Sequence, residues 1–88
     1  MKIKNGFILR EFAGKWLAYS GDSFEENKNV LVTLNRTGAF VWELLQNEVL
    51  YEDVISKLIE RYDVDDARAR ADFENFLIKC RLAGLIEE

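Results

Sequence analysis

The residues of this chain whose types and spacing most invite chemistry are the acidic run Asp63, Asp65 and Asp66, with Glu74 beyond it. Asp63 and Asp65 have the first spacing of a helix–loop–helix calcium loop, and Glu74 falls at its twelfth position, where a bidentate carboxylate is needed. The rest of the pattern fails. Arg68 stands where glycine must make the sharp turn, and Ala67 replaces the fifth-position ligand. Acids at the start of a helix are accounted for by capping and by the positive end of the helix dipole. Cys80 is the one cysteine, and histidine, the commonest general base and metal ligand, is absent. Seven residues after Phe73 on the same helical face, Cys80 reads as a small buried hydrophobe rather than a nucleophile. Gly38 and Gly84 stand singly, so no glycine-rich phosphate loop occurs. Catalysis has no visible seat and no metal or cofactor is expected; binding is what remains.

The element that would organise such binding is Val30 to Leu45. Val30, Leu31, Val32, Thr33 and Leu34 form a β-branched and aliphatic run that ends at Asn35, whose side chain can accept from an orphan N–H of a following helix. That helix carries Ala39, Phe40, Val41, Trp42, Leu44 and Leu45, apolar over most of its circumference, and must sit centrally. It ends near Gln46-Asn47.

Met1 to Gly6 reads as a frayed basic lead-in. Phe7–Phe12 and Lys15–Ser20, separated by Ala13-Gly14, read as a hairpin whose turn type stays open, since alanine is not a preferred first residue of the primed turns. If Phe12 pairs with Lys15, one face collects Ile8, Phe12, Leu17 and Tyr19, and the other Phe7, Leu9, Trp16 and Ala18. A lone hairpin is marginal in water, so Val30–Leu34 is the natural third strand. Gly21–Asn29 is polar, turn-rich loop with Phe24 as its anchor.

Tyr51–Tyr62 spaces Val54, Ile55, Leu58, Ile59 and Tyr62 as an amphipathic helix. A third helix runs from Asp65 or Asp66 to Ala83, with Gly84 as its C′ residue and Leu85 and Ile86 folding back. At about 100° per residue, Ala69, Phe73, Phe76, Leu77 and Cys80 share one face of it. Ala71, Ile78 and Leu82 gather on nearly the opposite face. They are either scattered surface aliphatics, which are normal, or a second contact surface for a partner enzyme or another copy.

The 88 residues, 49% hydrophobic and 32% charged, suit one globular domain over 1–88. The fold class expected is α+β, winged-helix-like, with an N-terminal three-stranded antiparallel sheet followed by a three-helix bundle. Net charge is −4, with 5 basic and 4 acidic residues up to Leu34 against 7 and 12 after it. The helical part is therefore a poor match to a phosphate backbone. One cysteine allows no internal disulfide, and no apolar run approaches membrane-spanning length; the cytoplasm is the expected compartment.

The patterns L-N-R-T-G-A-F-V-W-E-L-L at 34–45, V-I-S-K-L-I-E-R-Y-D-V-D at 54–65 and D-F-E-N-F-L-I-K-C-R-L-A-G-L-I at 72–86 resemble the PqqD family over nearly the whole chain. The resemblance implies a peptide recognition element of ribosomally made, post-translationally modified peptide pathways, free-standing and non-catalytic. It implies that a precursor leader adds as an antiparallel strand to the third strand and lies in the cleft beside the third helix. Carried over, the receiving edge is Val30, Leu31, Val32 and Thr33, and the helical wall is Asp72, Phe73, Phe76 and Leu77, each apolar member of which is open to a core reading. Leu50 departs from the family's usual Ser or Thr cap, and Ile78 and Leu82 occupy positions often charged in it. The partners implied are the leader peptide and a modifying enzyme, with a homodimer as a further option and neither nucleic acid nor membrane. The alternatives are a small winged-helix transcription regulator, for which the third helix is insufficiently basic, and a structural subunit of another complex.

Overall fold

The computed structural model describes residues 1–21 and 30–88; the expected loop and its Phe24 anchor lie outside the described residues, apart from Gly21. In chain order the elements are β1 (Lys2–Ile3), β2 (Phe7–Phe12), β3 (Lys15–Ser20), β4 (Val32–Leu34), α1 (Arg36–Leu44), α2 (Tyr51–Tyr62), α3 (Asp66–Leu82) and β5 (Ile86–Glu87). β2, β3 and β4 form an antiparallel sheet in that spatial order.

The hairpin register is the expected one, with Phe12 opposite Lys15 and Leu9 opposite Ala18. Ala13 and Gly14 both have positive φ, 53° and 80°, as a type I′ turn demands. The Phe7, Leu9, Trp16 and Ala18 face packs on the core, and Ala18 is fully buried. Phe12 on the other face stays exposed.

The reading of residues 1–6 as a frayed lead-in is corrected. Lys2 and Ile3 pair with Glu87 and Ile86 of β5, and Ile3 is buried. The Ile3 N–H donates to the Leu45 carbonyl at 2.8 Å, and the Lys4 N–H donates to that of Leu85 at 2.8 Å. The two chain ends thus clasp each other beneath the end of α1. Two-residue strands carry too little periodicity for the sequence to announce them.

The core gathers Phe73, Leu77 and Cys80 of α3, Val54 and Leu58 of α2, and Val41 with Leu45 from α1 and its C-cap. α2 begins at Leu50 without a side-chain cap, as its sequence departure implies. Its C-terminus turns through Asp63 in the left-handed region (φ 53°), a conformation that Asp tolerates better than most residues. Asp65 caps α3 by accepting from the Arg68 N–H at 2.8 Å, so the acidic run does the work of helix termini.

Along the α2–α3 seam, Arg70 donates to Glu52 at 2.7 and 2.8 Å and to Asp66 at 2.6 Å. These hydrogen bonds hold both carboxyls below their ordinary pKa. A depressed carboxylate contributes stability above its unfolded pKa and loses it as pH falls, so this tie weakens in acid. Both carboxylates are solvent-exposed and Arg70 is only partly covered, which keeps its contribution small.

Candidate functional site

β4 is an edge strand, because β3 lies on one side of it and no strand on the other among the described residues. Its side chains alternate: Val32 and Leu34 are buried, while Thr33 points outward and Val30 and Leu31 just before it are exposed. The Leu31 N–H is already spent on the Ala18 carbonyl at 2.8 Å. An incoming strand must therefore use other backbone groups of this edge.

Asn35 ends the strand. Its extended backbone and its Oδ1, which accepts from the Gly38 N–H at 2.8 Å, turn the chain into α1. Gly38 lets this turn sit tightly on the strand, since a Cβ there would lie 3.1 Å from the Leu34 Cβ and 3.3 Å from its Cδ2. Facing this junction is α3, and between them lies a cleft of about 320 Å³. Leu34, Asn35, Thr37 and Gly38 line one side. Arg68, Asp72, Asn75, Phe76, Ile78 and Lys79 line the other.

Of the residues expected on the helical wall, the structure brings Asp72 and Phe76 to the cleft. It does not bring Phe73 and Leu77 there: both are core, at 0% and 1% exposure. The Phe73 ring instead packs against Tyr51 (centroids 4.9 Å apart) and Phe76 (6.3 Å). At about 100° per residue, 73 and 77 point inward, while 68, 72, 75 and 79 form an adjoining stripe turned toward the strand. Ala71, Ile78 and Leu82 are all exposed, but Ile78 also lines the cleft, so the outer apolar face is continuous with it rather than separate.

Sequence reasoning missed Arg68, Asn75 and Lys79. The available signal was their spacing with Asp72 at i, i+4, i+7 and i+11, which marks one helical stripe. Arg68 Nε donates to both Asp72 carboxylate oxygens, at 3.1 and 3.2 Å. Cys80 is wholly buried, and desolvation pushes its thiol up to about 12, so it remains protonated at neutral pH. Among the described residues no three His, Cys, Asp or Glu side chains come together as a metal site. Within the same residues no helix is long and apolar enough to cross a membrane.

An open sheet edge beside a mixed polar and apolar cleft, on an α+β scaffold of three strands and three helices, defines a winged-helix-like binding domain. The family model for PqqD, coenzyme PQQ synthesis protein D, matches residues 23–86, and the chain belongs to this family. Among solved structures, TbiB1 in complex with the TbiA(beta) leader peptide is similar, with a TM-score of 0.71. The match covers 99% of this chain and 95% of that one at 20% identity, which establishes a shared fold. No curated protein matches the chain.

Proposed function

We propose that this protein is a non-catalytic adaptor that binds the leader of a ribosomally made precursor peptide and presents it to a modifying enzyme. The observation that carries this reading is the free edge of β4 lying beside the α3 cleft, in a chain of the PqqD family. The leader adds as a strand beside Val30, Leu31, Val32 and Thr33, exchanging backbone hydrogen bonds with the groups there that β3 does not use. Its side chains settle against Asp72 and Phe76, which Phe73 and Leu77 support from the core. A similarly folded protein, TbiB1, was solved holding a leader peptide, which supports the same use here.

DNA reading is disfavoured by the chemistry of α3. Arg68 and Arg70, the cations nearest its N-terminus, are already paired with Asp72, Asp66 and Glu52. The net charge of −4 adds repulsion from a phosphate backbone.

Fluorescence anisotropy of the labelled leader encoded beside this chain should give micromolar affinity or tighter, about −8 kcal/mol or stronger, with no duplex binding at physiological salt. Salt-sensitive duplex binding without leader binding would overturn the reading. We assign the outer face of α3, Ala71 and Leu82 with the exposed side of Ile78, to the modifying enzyme or a second copy. In the same titration Leu82→Glu should keep the leader affinity while enzyme-dependent modification or self-association falls. Unchanged modification and self-association would remove that assignment.

A further inference from the structure

The cations of α3 are not alike. Arg68 pairs with Asp72, Arg70 with Glu52 and Asp66, and Arg81 with Glu88. Lys79, the remaining cation of the helix, has no carboxylate partner among the described residues, and it lines the cleft together with Phe76, Ile78 and the already paired Arg68. Asp72, the acid of the cleft, is already neutralised by Arg68. The cleft therefore joins an apolar floor, Leu34 and Phe76, to one uncompensated ammonium.

Resting on the adaptor reading, we propose that Lys79 makes this cleft selective for a leader carrying a carboxylate side chain next to the apolar side chain seated on Leu34 and Phe76. A strand presents alternate side chains to one face, so residues i and i+2 of the leader can reach the floor and the lysine together. The acidic body of the protein opposes such a ligand only at range. At physiological salt the screening length is about 8 Å, so a direct ammonium–carboxylate contact outweighs charges beyond the cleft.

The test uses the labelled leader from this chain's own locus and a set of its variants in which each Asp or Glu is changed singly to Lys. These are titrated into the wild-type protein and into Lys79→Glu and Lys79→Gln, at low and high salt. Lys79 is exposed, so both protein variants should melt as the wild type does. Lys79→Glu should bind the natural leader about tenfold more weakly. One acid-to-lysine leader should regain most of that loss on Lys79→Glu while binding the wild type worse. Lys79→Gln should flatten the salt dependence. Affinity within twofold of wild type in Lys79→Glu, or a loss that no reversed leader recovers, overturns the assignment while leaving the adaptor reading intact. Failure of the wild-type protein to bind any leader removes both.

Discussion

Phe73→Ala is expected to lower the unfolding free energy by about 3–5 kcal/mol, read as a shift of the urea midpoint at constant slope. The ring is wholly buried and packed between Tyr51 of α2 and Phe76 of its own helix, so its removal leaves a hole where two helices meet. Neither wall can collapse freely. Tyr51 is held outward by its hydroxyl, which donates to Glu74 at 2.6 Å, and Phe76 by its place on the cleft floor. A domain of this size has roughly 5–15 kcal/mol in total, so the variant should be partly unfolded at 37 °C if it lies near the low end. The cleft loses its backing at the same time, and leader affinity should fall with stability. A loss under about 1.5 kcal/mol would show that the seam repacks and that Phe73 is not the keystone of the α2–α3 contact.

Gly38→Val should damage the site more than it damages the fold. In an open helix, replacing glycine by alanine gains about 1 kcal/mol, and valine gains somewhat less because its branched Cβ loses rotamers. Here the added carbon meets the Leu34 Cβ at 3.1 Å. That atom is fixed by the strand backbone and can recede only if β4 moves away from α1. Overpacking of this kind costs about 1–3 kcal/mol, which exceeds the propensity gain. We therefore expect a net loss of about 1–2 kcal/mol in urea unfolding and, because β4 and the cleft mouth shift together, at least a tenfold loss of leader affinity. Leader affinity equal to wild type would show that the strand–helix junction does not shape the binding surface.

Some of this architecture was legible in the chain because the relevant signals are local. Asn35 after five strand-forming residues marks both the end of β4 and the cap of α1, and the cap geometry agrees to the hydrogen bond. The hairpin register followed from the shortness of Ala13-Gly14, and α3 from its acidic start and Gly84. The β1–β5 clasp was not legible: it is held by contacts between residues more than 80 apart and by strands too short to alternate. The site was only half legible. Periodicity says which residues share a face, and so grouped Phe73 and Leu77 with Phe76, but what covers each is decided by where α2 and β4 pack. Arg68, Asn75 and Lys79 were not grouped as a site at all, because only the third dimension sets that stripe opposite Leu34.

The most direct test of the proposed mode of binding is amide hydrogen exchange with and without the leader peptide. Exchange should slow at those amides of Val30, Val32 and Thr33 that β3 leaves free, and along α3 from Arg68 to Lys79. The Leu31 amide, already bonded to Ala18, and the Phe7–Ser20 hairpin should change little. Protection appearing instead on α2 or on the outer strand β2, with the β4 edge unchanged, would contradict strand addition and place the leader elsewhere.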